Sequence, residues 1–156
     1  DRRQRQMCIR DRKSCTSMEY VKQLLQGKYP AAPKFSVMIS HVKDIAKAHV
    51  LSLNNKKAEG RRLIVGSGTR SILELSKIMA ENIPSHSKKL PKKELPNFMV
   101  KLISYLDSSA KNLVPDLGLK METDTKYAEE ILQMKFIEPE VSVVDAAKSV
   151  IRLNLA

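Results

Sequence analysis

The stretch Gly66-Ser67-Gly68-Thr69-Arg70-Ser71 comes nearest, of anything in the sequence, to a phosphate-binding loop. Glycines spaced two apart between an apolar run and a helix let backbone N–H groups approach a pyrophosphate, whose charge the helix dipole then favours. The spacing stops short of the dinucleotide fingerprint. Its third glycine is replaced by Ser71, and Ser71 with Glu74 reads instead as an S-x-x-E capping box. About 20 residues on, where the fingerprint needs a strand and an acidic residue, the chain passes through the polar, proline-punctuated segment Ser85–Lys93. A tight turn closed by a helix cap is the reading these residues favour.

His41, His49 and His86 are the side chains suited to proton exchange near neutral pH. His41 ends an apolar strand, where α/β sites gather. His49 falls on the apolar side of the following helix and reads as a structural histidine, and His86 sits in the polar loop. No Ser–His–Asp or Cys–His set is legible in the spacing. Cys8 and Cys15 lie near the start with no further ligand at zinc spacing, so no metal site is expected.

The net charge of +11 raises the possibility of a nucleic-acid partner. Residues 1–13 hold six Lys/Arg against two Asp, and the remaining charge is spread along helices and turns. The densest patch, Lys88, Lys89, Lys92 and Lys93, is broken by Pro91 and has no interleaved stacking aromatics. A solvated lysine face is favoured. The competing function is a small basic binding module for nucleic acid or an acidic protein, which a salt-dependent interaction lost on Lys→Gln replacement would reveal. Residues Gln6–Arg12 match the translation of a transposon-end sequencing adapter, with codons ATG-TGT-ATA-AGA-GAC-AG running from Met7 into Arg12. Residues 1–13 are therefore expected to be an artefact or disordered, and to lie outside the fold.

From Thr16 the chain is orderly. A capping pattern at Thr16–Glu19 opens a helix with Met18, Val21, Leu24 and Leu25 on one side, and Gly27 supplies a left-handed stop. After the extended connector Tyr29–Pro33 comes a strand, Val37–Ile39, then a helix whose inward face is expected to be Val42, Ile45, Ala46, His49, Val50 and Leu53. A lysine-rich turn ending at Gly60 leads to a second strand, Leu63–Val65. Further helices follow Ser71 (Ile72, Leu75, Ile78 and Met79 inward), Pro96 (Phe98, Met99, Leu102, Ile103 and Leu106 inward), Asp124 (Ala128, Ile131 and Leu132 inward) and Pro139 (Val143, Val144, Ala147, Val150 and Ile151 inward). Residues 107–122 read both ways. About two strands among five or six helices make an α/β fold. Two strands alone are too few for a stable sheet, so they read as the edge of a larger parallel one.

The strand–helix–turn–strand unit Ser36–Gly68 resembles the H/D-V-x-D-h-A-x-A-H-h-x-A-L…G-x-x-h-h-x-x-G segment of extended short-chain dehydrogenases/reductases. In order along the chain, further pieces agree: L-L-x-G-x-Y-P-x-x-P at Leu24–Pro33, S-I-L-E-L-S at Ser71–Ser76, P-N-F-M-V-K-L at Pro96–Leu102, and the runs Asp124–Phe136 and Val141–Ile151. Together they are similar to the dihydroflavonol-reductase-like branch of the NAD(P)-dependent epimerase/dehydratase family. Gln133 departs from the pattern, standing where the family has a glycine after the helix ending at Leu132.

The resemblance implies that residues 14–156 are the C-terminal sheet edge and substrate lobe of a Rossmann-type enzyme. The parent would be a cytoplasmic reductase, dehydrogenase or epimerase using NADP or NAD on an aldehyde, ketone or flavonoid-like substrate. Its cofactor would bind the missing N-terminal Rossmann lobe, the implied partner of this chain, and none is expected to bind the fragment, which would be inactive alone. The family's catalytic pair is Tyr-x-x-x-Lys, the lysine lowering the tyrosine's pKa. Here Tyr20, Tyr29, Tyr105 and Tyr127 are followed four residues later by Leu24, Pro33, Ser109 and Ile131, so no copy of the pair is present. The resemblance leaves Ser17, Met18, Tyr20, His41 and Phe98 as candidates for the substrate pocket.

Overall fold

Helix α1, Thr16–Leu25, buries Val21, Leu24 and Leu25 and ends as its glycine requires. Gly27 adopts φ +73°, its N–H donating to the Leu24 carbonyl at 3.0 Å while the Lys28 N–H donates to Gln23 at 3.0 Å. This pair of bonds satisfies the last-turn carbonyls of α1. The computed structural model describes residues 16–103, 105, 117–119 and 122–156. The segment 1–13 and most of 107–122 lie outside the described residues.

Two small sheets follow. β1, Ala32–Pro33, pairs in parallel with β4, Glu94–Leu95, and β2, Ser36–Ile39, pairs antiparallel with β3, Gly68–Ser71. The first expected strand is therefore present, and the second is displaced. Leu63–Val65 is in no strand and has no ladder partner among the described residues, whereas Gly68–Ser71 has one in β2. An apolar run becomes a strand only when a neighbour takes up its backbone groups. Ser36 opposite Ser71 and Ile39 opposite Gly68 set the register.

The helices after the sheet are α2 (Val42–Leu53), α3 (Ile72–Asn82), α4 (Asn97–Ile103), α5 (Lys126–Leu132) and α6 (Pro139–Arg152). α6 lies against both α1 and α3. Its Val143, Ala147 and Val150 join Leu24, Leu25, Ile72, Leu75 and Met79 in the main core. A smaller cluster of Ala48, Leu132 and Met134, with Leu51, Leu63 and Val65 around it, ties α2 to α5.

Two expected inward faces are corrected. α2 buries Asp44 and Ala48, while Val42, Val50 and Leu53 are 70, 67 and 80% exposed and Ala46 and His49 are exposed too. On α4, Val100 is buried, while Phe98 is 70% exposed and Met99 and Leu102 are also exposed; the Ile103 side chain and Leu106 lie outside the described residues. Periodicity identifies the apolar stripe of a helix, and the neighbours decide whether it is covered.

Gln133, which departs from the glycine expected after α5, still ends that helix. Gln133 takes φ 49°, ψ 45°, so α5 stops in the left-handed conformation without a glycine. An L-residue with a β-carbon meets steric cost there. Gln133→Gly is expected to stabilise the chain by about 1 kcal/mol and raise its melting temperature by about 3 °C in a thermal scan.

Candidate functional site

The loop that mimics a phosphate cradle is closed by its own chain. A β-carbon on Gly66 would stand 3.0 Å from the Ile39 carbonyl oxygen and 3.1 Å from Met38 Cγ, so this glycine admits the end of β2. The Ser67 N–H donates to the same Ile39 carbonyl at 2.9 Å. At the start of α3 the Ser71 hydroxyl accepts from the Glu74 N–H at 3.2 Å, and the Glu74 carboxylate accepts from the Ser71 N–H at 2.7 Å. The anion at this helix N-terminus is therefore Glu74, occupying the position a phosphate would need. The residues present do not fit a dinucleotide pyrophosphate; the expected helix cap is there, but the tight turn is not, since Gly68–Ser71 runs as β3 against β2.

Beside this loop a polar seam joins the end of β2, the start of α2 and α6. His41 is the N-cap of α2: it is buried, and its Nδ1 accepts from the Lys43 N–H at 3.1 Å. With Nδ1 accepting, the ring proton sits on Nε2, which lies 3.3 Å from the Asp145 carboxylate of α6. One turn on, the buried Asp44 carboxylate accepts from the Ile137 N–H at 2.7 Å. Arg70 of β3 donates through Nε and Nη2 to one oxygen of Glu140, at 3.0 and 2.7 Å. Sequence reasoning placed His41 at a strand end. It missed Asp145, Arg70 and Glu140, whose partners are distant in the chain and leave no local signal. Every group in this seam is engaged by another part of the fold, and its chemistry is that of holding three elements together.

Two of these carboxylates carry an acid dependence. The Ser71 backbone N–H, and then its hydroxyl, hold Glu74 below the ordinary glutamate value of 4.5. The hydrogen bond from Arg70 does the same for Glu140. A carboxyl with a folded pKa below its unfolded value stabilises the fold above the unfolded value, and that contribution fades as pH falls through the folded one. Stability measured by urea titration is therefore expected to decline as the pH drops below 4.5. The decline should be shallower in Glu74→Gln and Glu140→Gln.

Of the five sequence-predicted pocket residues, the four with described side chains lie in different settings. Met18 and Tyr20 pack on the main core, Tyr20 with its ring edge-on to Phe35 at 5.8 Å between centroids. His41 lies in the seam, Phe98 faces solvent, and the Ser17 side chain is outside the described residues. An open depression of about 490 Å³ between the end of α2 and α5, lined by Leu51, Asn55, Lys57, Glu130 and Gln133 among others, includes none of Met18, Tyr20, His41 and Phe98. Lys88, Lys89, Lys92 and Lys93 are all exposed, while Leu90 and Pro91 between them are buried, anchoring what the sequence presents as a surface loop. Among the described residues no group of His, Cys, Asp and Glu could hold a metal ion, and no helix is long and apolar enough to cross a membrane.

No protein-family model matches the chain, and no curated protein sequence does. Its α/β fold has clear counterparts among solved structures. The matching structures include Gre2 from Candida albicans, with a TM-score of 0.66 and 22% identity over 93% of this chain and 40% of that one. Yeast methylglyoxal/isovaleraldehyde reductase Gre2, solved with NADPH, matches with a TM-score of 0.65 and 20% identity over 92% of this chain and 38% of its own. The chain thus spans about two fifths of the length of the reductases it matches.

Proposed function

We propose that this chain is the substrate lobe of an NADP(H)-dependent carbonyl reductase, working in the cytoplasm with a Rossmann lobe that holds the cofactor. The observation that carries this reading is the fold match, which takes in nearly all of this chain and only 38–40% of two Gre2 structures. The chain's own residues favour a supporting role. Glu74 fills the helix N-terminus that a phosphate would need, and no tyrosine is followed by lysine at the fourth position. The cofactor and the proton donor would both belong to the other lobe. Phe98, exposed on α4, is the candidate free to meet an apolar substrate. Met18, Tyr20 and His41 would shape the pocket by fixing α1 and the α2 N-terminus beneath it, with Ser17 a candidate on sequence grounds. Within carbonyl reduction the resemblance of the sequence favours the dihydroflavonol-reductase-like branch, and an aldehyde, ketone or flavonoid-like substrate.

The test is NADPH oxidation followed at 340 nm with methylglyoxal and isovaleraldehyde. The 156-residue chain is expected to give no turnover and no NADPH binding, and the product of its complete reading frame is expected to give both. A complete reading frame without a cofactor-binding lobe would overturn the proposal.

A further inference from the structure

The outward side of α4 carries an apolar stripe in water. Phe98, Leu102 and Tyr105 fall at i, i+4 and i+7, and the Tyr105 N–H donates to the Leu102 carbonyl at 3.3 Å, continuing the turn past the helix end. All three are exposed, Leu102 at 67% and Tyr105 at 88%, while Val100 is buried. Leu119 adds to the same surface. The Gly118 N–H before it donates to the Lys34 carbonyl at 2.7 Å, and a β-carbon on Gly118 would stand 3.6 Å from Asn97 Nδ2 at the start of α4. Contiguous exposed apolar side chains of this kind mark a contact surface.

The ground around the stripe is basic. Residues 27–36 and 83–103 hold seven lysines and one acid, Glu94. The fold joins these distant segments: β1 pairs in parallel with β4, so Lys34 leaves β1 at the end where α4 begins. Gly27 meets Lys89, whose Cβ would be 3.1 Å from a β-carbon on the glycine. Lys28, Lys34, Lys88, Lys89, Lys92 and Lys93 are all exposed, and none pairs with a carboxylate among the described residues. Buried Leu90 and Pro91 hold the last four on a fixed stretch of backbone. Chain order shows only those four as a patch; Lys28 and Lys34 are added by the fold.

The two features together select the partner. A second copy of the chain would set lysine against lysine. A nucleic-acid backbone would satisfy the lysines and leave Leu102 and Leu119 against phosphate. An anionic bilayer takes both, with headgroups for the lysines and the acyl boundary for the stripe. We propose that α4 and the lysines beside it form a peripheral docking site for an anionic lipid membrane. Phe98, Leu102 and Tyr105 enter the headgroup–acyl boundary while the lysines lie over the headgroups. The protein rests on the surface without crossing it, since no described helix is long and apolar enough to span. The site goes beyond the reductase reading and does not depend on it.

Cosedimentation with vesicles tests the site in the 156-residue chain and in the product of the complete reading frame. Both should bind phosphatidylcholine vesicles containing about 30% phosphatidylserine about 100-fold more tightly than vesicles of phosphatidylcholine alone. Replacing Lys88, Lys89, Lys92 and Lys93 by Gln should weaken that binding about 100-fold. Leu102→Glu with Tyr105→Glu should weaken it about tenfold or more, whereas Val141→Glu, at an exposed position of α6, should leave it unchanged. Circular dichroism at 222 nm reports that each variant is folded. The chain has no tryptophan, so the fluorescence of Leu102→Trp reports that position alone and should be quenched by brominated phosphatidylserine vesicles. Equal binding to neutral and anionic vesicles would overturn the site. So would an unquenched Leu102→Trp, which would reduce the contact to charge alone. Binding by the 156-residue chain that the longer protein lacks would mean that the rest of the protein covers this face, and would also overturn it. Duplex DNA bound in preference to vesicles would assign the lysines to nucleic acid and overturn the membrane partner. NADPH oxidation is unaffected by any of these outcomes, so the reductase reading is judged separately.

Discussion

Leu24→Ala is expected to lower the stability of the chain by about 3 kcal/mol, the cost of deleting buried methyl groups plus the cavity they leave. Leu24 is fully buried on α1, within the cluster that brings together Ile72, Leu75 and Met79 of α3 and Val143, Ala147 and Val150 of α6. No other feature of α1 can compensate. Its neighbour Leu25 is fully buried in the same cluster, so the helix cannot roll to refill the space without exposing another leucine. A domain of this size has a net stability of only about 5–15 kcal/mol, so the change removes a large share. Urea unfolding monitored by circular dichroism at 222 nm measures it. A loss below about 1 kcal/mol would mean that the three-helix core collapses around the missing side chain.

Asp44→Ala is the second large effect, expected at about 2 kcal/mol. The Asp44 carboxylate is buried and accepts from the Ile137 N–H at 2.7 Å, so truncation leaves that donor without its acceptor. It also removes a negative charge from the first turn of α2, where the helix dipole favours one. Asp44→Asn keeps an acceptor oxygen in place and should cost less than Asp44→Ala, about half as much. The site-specific readout is the Ile137 amide, whose hydrogen exchange should accelerate in Asp44→Ala and stay slow in Asp44→Asn. Equal losses in the two variants would assign the whole effect to charge.

Both predictions depend on long-range partners, and that is where the sequence stops being informative. α1, α3, α5 and α6 were legible because their signals are local: the capping box at Ser71 and Glu74, the glycine after α1, the proline that starts α6. The same local signals misplace β3. Gly68-Thr69-Arg70-Ser71 carries no apolar run, and it is a strand only because β2 lies opposite it. α2 shows the limit most plainly. Its apolar residues are where a core face should be, yet the fold buries Asp44 and Ala48 on the other side, against chain more than eighty residues away. At the candidate site, the helix cap at Ser71 was readable because its S-x-x-E pattern is local, while the strand that leads into it was not. The pairing of His41 with Asp145 was not, since nothing in either neighbourhood points to the other.

The packing of α6 against α1 also has a consequence for synthesis. Leu24 and Leu25 leave the ribosome more than a hundred residues before Val143, Ala147 and Val150, which complete their burial. The Gln26 side chain waits longer still for the Leu155 carbonyl it finally meets at 3.0 Å. Until those last turns emerge, α1 has only part of its cover, and the nascent polypeptide carries an open leucine face for more than a hundred residues of elongation. A premature stop before residue 143 would release a chain in which this core has never closed.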